Sequence, residues 1–243
     1  MKRGSCAIVG VAESDLGEVA RGMSPLDLMA QGIQRALDDC GLSLQDVEGL
    51  FGAAMVVPAL QGTEWADVAF AVAAHNPDAV RTLSILDVVI PGDGADFSQG
   101  GRRWHHAFFR TLDLPEQLCF GREEMVVNWL FENYGHRANC ISEEDKAEFL
   151  RTYKKPGAFR ALLEIYRALP QDAADNAAIL AAKGKLKMPV LALGGDKSFG
   201  RGMECIESLR RVAENVRGGL VKDSGHWIAE EQPDFLVDEL LKL

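Results

Sequence analysis

Asp223-Ser224-Gly225-His226-Trp227-Ile228-Ala229-Glu230-Glu231-Gln232-Pro233 joins a short strand-like run at residues 219–222 to an amphipathic run over residues 233–243. Proline suits the first position of a helix, where its missing N–H removes no helical hydrogen bond. The stretch therefore reads as a strand-to-helix loop carrying a single histidine, His226. A lone histidine is ordinarily a satisfied surface or core residue, so its meaning depends on what surrounds the loop.

Working outward, residues 189–193 form an apolar strand, Gly194-Gly195 a turn, and residues 203–215 a helix, which makes the carboxyl-terminal part an alternation of strands and helices. Residues 80–89 read as another buried strand, ended by Ile90-Pro91-Gly92. An Ala-rich helix over residues 65–74 precedes it and is broken by His75-Asn76-Pro77-Asp78. Between Asp93 and Lys187 nothing reads as a strand. Ser142-Glu143-Glu144-Asp145 caps a helix that runs to Tyr153, Pro156-Gly157 breaks it, and residues 158–168 form a second amphipathic helix. Nearer the start, residues 7–11 read as a strand. Ser24-Pro25-Leu26-Asp27 opens a helix over residues 25–40 whose Leu26, Met29, Ile33, Ala36 and Leu37 share one face, with Gly41 as its stop. The expectation is an α/β fold with a parallel sheet of reduced strand number, interrupted by a helical insertion.

The 243 residues carry 26 Lys plus Arg against 36 Asp plus Glu, a formal charge of −10. Such an acidic surface repels phosphate backbones and anionic lipid, which argues against nucleic acid and membrane surfaces as partners. No apolar run reaches membrane-spanning length, and Met1-Lys2-Arg3-Gly4-Ser5-Cys6-Ala7-Ile8-Val9-Gly10-Val11-Ala12-Glu13-Ser14-Asp15 places acids where a signal peptide needs an apolar stretch, so a cytoplasmic location is expected. The five cysteines are odd in number and lack Cys-x-x-Cys or Cys/His spacing, which points to reduced, mostly buried thiols rather than a metal site.

The His226 loop resembles the loop after the last strand of α/β-hydrolases of the epoxide hydrolase and haloalkane dehalogenase group, and the likeness extends from Gly62 to the end of the chain. His75-Asn76-Pro77-Asp78-Ala79-Val80-Arg81, Leu86-Asp87 and Ile90-Pro91-Gly92 are similar to the family's helix end, sixth strand and exit loop. Trp104-His105-His106-Ala107-Phe108 resembles the start of its helical cap, with Trp104 and His105 as substrate contacts. Tyr166 in Leu163-Glu164-Ile165-Tyr166-Arg167 is similar to the cap tyrosine that donates to an opening epoxide oxygen. The resemblance implies that a carboxylate attacks carbon to form an enzyme ester, that His226 activates the water which cleaves it, and that an acid orients the histidine. Gly62-Thr63-Glu64-Trp65-Ala66-Asp67 falls where the family has Gly-His-Asp-Trp-Gly-Gly, which puts Glu64 at the nucleophile position and Trp65 beside the substrate. Glutamate is one methylene longer than aspartate, and misplacement of about 1 Å can cost on the order of a hundredfold in rate. Asp67 reads as a helix-dipole partner. The orienting acid is Asp87, after the sixth strand, or Asp196 in Gly194-Gly195-Asp196-Lys197-Ser198, where many relatives carry the aspartate two residues later. Asp87 is favoured because open α/β sheets build sites at the carboxyl ends of their strands.

Residues 1–61 lack the His-Gly-x-Pro-like turn that helps form the family's oxyanion hole. Instead Ala7-Ile8-Val9-Gly10-Val11, Ser24-Pro25-Leu26-Asp27-Leu28 and Asp46-Val47-Glu48-Gly49-Leu50-Phe51 resemble the amino terminus of thiolase-like acetyl-CoA acetyltransferases, without a cysteine in a matching catalytic setting. The expected organisation is a thiolase-like segment at 1–61, a truncated α/β-hydrolase-like core at 62–92 and 188–243, and a helical cap at 93–187. The function that follows is epoxide hydrolase-like turnover of a small electrophile. Two alternatives stand beside it: a catalytically silent remnant keeping a pocket or an interaction surface, and a haloalkane or haloacid dehalogenase. No metal or organic cofactor is implied. The expected partner is a small-molecule substrate, and a homodimer is left open.

Overall fold

A computed structural model describes residues 25–41 and 62–243. The thiolase-like motifs, apart from Pro25-Leu26-Asp27-Leu28, lie outside the described residues, as does the apolar run before Gly62. Helix α1 spans Pro25–Cys40 and α2 spans Gly62–His75; strand β1 is Leu83–Leu86. Five helices follow: α3 (Trp104–Arg110), α4 (Leu114–Cys119), α5 (Glu123–Tyr134), α6 (Glu143–Tyr153) and α7 (Ala158–Lys183). The chain then returns to alternation with β2 (Val190–Gly195), α8 (Met203–Val212), β3 (Val216–Val221), α9 (Ile228–Glu231) and α10 (Pro233–Leu240).

The three strands form a parallel sheet in the order β1-β2-β3, with Leu83 opposite Val190 and Val190 opposite Val216. This is the truncated α/β-hydrolase-like sheet that the sequence predicts. Every residue of β2 is buried, as a parallel strand covered on both faces requires. Its side chains alternate between two layers. Val190 and Ala192 join Ala66, Phe70, Ala73, Ile206 and Leu209 of α2 and α8. Leu191 and Leu193 face the other way, toward Val221, Ile228 and Leu236. The helical segment has a core of its own, built from Phe109, Val127, Leu130, Phe131, Tyr134, Leu162, Leu163 and Tyr166.

Three boundaries differ from the sequence-based expectation, each for a local reason. Helix α2 begins at Gly62 rather than at residue 65, so Thr63 and Glu64 have their backbones in its first turn. Strand β1 is shorter than residues 80–89, because Asp87 takes a left-handed backbone conformation (φ 51°) that ends the ladder. Helix α7 continues past residue 168 through Pro170 to Lys183. A proline removes one helical donor, but Ile179 and Leu180 beyond it pack against the α2–α8 layer and hold the continuation.

Candidate active site

The carboxyl ends of the three strands converge on His226. Its imidazole Nδ1 lies 2.6 Å from Oδ2 of Asp87, the residue just past β1. Asp87 is wholly buried, and its other carboxylate oxygen accepts from the backbone N–H of Gly195 (2.9 Å) and of Arg201 (2.8 Å). The left-handed turn at Asp87 and the backbone amides at the end of β2 therefore fix this carboxylate from two sides. With Asp87 accepting from Nδ1–H, the imidazole keeps its lone pair on Nε2, the arrangement a general base needs. Burial pulls His226 below the usual imidazole range, the bond to Asp87 opposes that shift, and the nearby Arg103 and Arg201 guanidiniums add to it. The imidazole is thus neutral at neutral pH.

The loop is seated on the helical segment. His226 N–H donates to the carbonyl of Tyr134 at 2.9 Å, and Trp227 Nε1–H donates to the carbonyl of Phe131 at 3.1 Å. Gly225 is required there: a Cβ would come within 2.4 Å of the Tyr134 carbonyl oxygen. The Tyr134 ring stacks on Phe199 with centroids 4.5 Å apart, and its hydroxyl meets Nδ1 of His105. Burial pushes the Tyr134 phenol above its usual range, so it keeps its proton, and which partner donates follows the imidazole tautomer. With the phenol donating, His105 carries its proton on Nε2. It is held far below the ordinary imidazole range by burial first and by the His106 charge second. His106 is lowered to about 3, again by burial ahead of the Arg201 and Arg103 charges, and its Nδ1 has no hydrogen-bond partner. Tyr166 lies beside both rings, at 5.6 Å from His105 and 5.5 Å from His106.

Of the sequence-derived candidates, the structure brings together His226 and Asp87, and separately His105, Tyr166 and Trp104. Trp104 is 43% exposed and contacts His105 edge-on, at the outer side of that aromatic group. Asp196 is placed elsewhere. Its carboxylate accepts from the Asp223 backbone N–H (2.8 Å) and from Lys197 Nζ (2.9 Å), so it ties the start of the histidine loop to β2 instead of meeting the imidazole. Glu64 and Trp65 have their backbones in the first turn of α2, and their side chains lie outside the described residues. Asp67, read from the sequence as a first-turn dipole partner, is buried one turn further in, where it accepts from Asn176 Nδ2 at 2.8 Å. Its carboxyl rises to about 8, chiefly through burial and next through the Asp172 charge, with the Asn176 bond opposing. His106, the third position of the cap-start motif and one that the resemblance lets face substrate, lies beside His105 and Tyr166. Tyr134 and the buried Arg103 and Arg201 carry no local signal in the sequence, because only the packed structure brings them near His226.

Among the described residues no group of three or more His, Cys, Asp or Glu side chains could hold a metal ion. No described helix is long and apolar enough to cross a membrane.

No protein-family model matches the chain. It is 34% identical over 190 residues to the soluble epoxide hydrolase of Corynebacterium sp. (strain C12), a match covering 74% of this chain and 64% of that enzyme. Among solved structures it resembles wild-type Cfl2 from Burkholderia cenocepacia, with a TM-score of 0.72, 31% identity, and coverage of 93% of this chain and 74% of that one. The epoxide hydrolase CorEH, solved without ligand, gives a TM-score of 0.70 and 27% identity, covering 94% and 79% respectively. The chain thus spans just under two thirds of the length of the curated Corynebacterium relative.

Proposed function

We propose that this chain, which has an α/β-hydrolase-like fold and epoxide hydrolases among its relatives, opens a small epoxide through an enzyme ester cleaved by a histidine-activated water. The observation that carries the reading is the 2.6 Å contact between His226 and a wholly buried Asp87. In this reading residues 93–187 are a cap over the strand ends, residues 62–92 and 188–243 are the core, and His105 and Tyr166 are the cap groups that meet substrate.

The first step needs a carboxylate and an acid. Glu64 attacks an epoxide carbon, the C–O bond breaks with its electrons on oxygen, and that oxygen takes a proton from Tyr166 O–H or His105 Nε2–H. When the Tyr134 hydroxyl donates to His105 Nδ1, the imidazole is the Nε2–H tautomer and the second donor is available. In the second step His226 Nε2 takes a proton from water while the water oxygen attacks the ester carbonyl. Asp87 holds the resulting imidazolium, collapse of the intermediate returns Glu64 and frees a vicinal diol, and the proton on His226 then restores the Tyr166 or His105 group that gave its own to the epoxide oxygen. Glu64 in the first turn of a helix also favours a second reading, a protein that keeps the pocket without turnover. A haloalkane or haloacid substrate would share the ester step and release halide instead.

The test is the intact mass of His226→Gln protein after incubation with a panel of epoxides and haloacids, followed by peptide mapping. An adduct on Glu64 is expected, since loss of the base stalls ester cleavage. An adduct on Asp67 would keep the chemistry and displace Glu64 from it. No adduct on cooperatively melting protein would establish the silent reading.

A further inference from the structure

Glu231, the last residue of α9, has no part in the steps above, yet it is wholly buried and its carboxylate accepts four backbone N–H groups. One oxygen takes Gly225 N–H (2.9 Å) and Trp227 N–H (3.2 Å), the amides on either side of His226. The other takes His136 N–H (2.7 Å) and Arg137 N–H (2.9 Å), which follow the end of α5 on the far side of the fold boundary. His136 and Arg137 lie 95 and 94 residues from Glu231 in sequence, Gly225 and Trp227 only 6 and 4. A fully desolvated carboxylate is tolerated only when its lone pairs are filled, and charge-assisted bonds of this kind are roughly twice as strong as neutral ones. Neither segment alone can fill them. The histidine loop supplies two donors and the cap the other two, so separating the segments strands a buried charge.

Backbone contact follows the same line. A Cβ on Gly135 would come within 2.9 Å of the Trp227 ring, and His226 N–H rests on the Tyr134 carbonyl. Tyr134 in turn reaches His105 through its side chain. We propose that Glu231 is a positioning residue that locks the His226 loop to the cap at residues 134–137, so that the base and the cap's His105–Tyr134 pair move as one body. The assignment rests on the reading of His226 as the base, and it deepens that reading by making the cap's seating a condition of imidazole geometry.

The experiment is amide hydrogen exchange, read residue by residue on the full chain, together with the ¹⁵N shifts of the His226 imidazole. In the unaltered protein the Gly225, Trp227, His136 and Arg137 amides should open together, with protection factors agreeing within about tenfold, the spread of a single cooperative opening. In Glu231→Gln, an amide nitrogen faces two N–H donors, so all four should lose protection by at least tenfold and the imidazole shifts should move. Asp234→Asn, an exposed acid three residues away, should change neither. Independent opening of the two pairs in the unaltered protein would overturn the proposal even if Glu231→Gln fails to fold. So would a folded Glu231→Gln whose losses stop at one pair or whose imidazole does not shift. Exchange requires no turnover: a concerted opening in protein that forms no adduct with any epoxide upholds the lock and refutes the epoxide hydrolase reading by itself.

Discussion

At the scale of single residues the chemistry turns on Asp87, a non-glycine residue with positive φ and no exposure. A left-handed backbone is uncommon outside glycine, and aspartate and asparagine are the residues that tolerate it best. That turn points one carboxylate oxygen at two amides and the other at an imidazole. Asp87→Asn keeps the backbone and the size but presents either an N–H to His226 or an unpaired donor to Gly195 and Arg201. The tautomer with Nε2 free is then lost, and a fall in kcat of about 10³ to 10⁴ is expected for epoxide hydrolysis, with cooperative melting retained. The pH dependence follows from the same pair. Because His226 sits below its ordinary 6.5, it stays neutral at pH values where a free imidazole would be protonated, and the acid limb of kcat/KM should lie below pH 6.5. Removing the Asp87 charge takes away the group that raises this value, so the limb in any residually active Asp87→Asn protein should move further toward acid. A limb at or above 6.5 in the parent would mean that a different group controls the rate.

At the scale of elements, α2 and α7 meet through a buried acid. Asp67 reaches about 8 in the folded protein against 3.8 for the free carboxyl, so between those values the native state holds the proton that the unfolded state has lost. Unfolding free energy should therefore fall as pH rises through this window, by up to about 1.4 kcal/mol per pH unit from this group. Asp67→Asn cannot titrate, and its stability relative to the parent should improve steadily from pH 4 to pH 8 in urea titrations; a constant difference would show that Asp67 is ionised in place. Nothing local in the sequence gives this away, since an acid early in a helix reads as a dipole partner until Asn176, 109 residues on, is seen against it. The alternation of β2, α8 and β3 was legible, because β2 is an unbroken apolar run and α8 repeats Cys205, Ile206, Leu209 and Val212 on one face. The far half of α7 was not, because Pro170 is a local stop signal and the contacts that override it come from α2 and the sheet layer. The site divides the same way. The loop bearing His226 and the strand end bearing Asp87 were legible as positions, with Asp87 favoured over Asp196 only by its place at a strand's carboxyl end, and only the packed structure distinguishes their distances to the imidazole. Glu231 was illegible because half of its donors come from residues 136 and 137.

At the scale of the whole molecule, two hydrophobic bodies share one seam. The sheet layers hold β1, β2 and β3 between helices, the helical segment packs around Phe109, Leu130 and Leu163, and Trp227 belongs to the second body although its backbone leaves β3 in the first. Its ring lies 5.8 Å from Phe131, its Nε1–H donates to that residue's carbonyl, and it is 5% exposed. A buried tryptophan is the largest single contributor of apolar area available, so Trp227→Ala should cost about 3–5 kcal/mol. The loss falls on the seam rather than inside either body, and cooperativity should suffer along with stability. In the parent, far-ultraviolet and near-ultraviolet dichroism should follow one urea transition, because each body is held by the other. In Trp227→Ala the near-ultraviolet signal, which Tyr134, Tyr153, Tyr166, Trp104 and Trp129 of the helical segment dominate, should be lost at lower urea than the far-ultraviolet signal. Trp227→Phe keeps most of the packing and gives up one hydrogen bond, so it should lose only about 1 kcal/mol and keep the two transitions together. Coincident transitions in Trp227→Ala would place the coupling in the backbone seam that Glu231 closes, and non-coincident transitions already in the parent would mean that the two bodies fold independently.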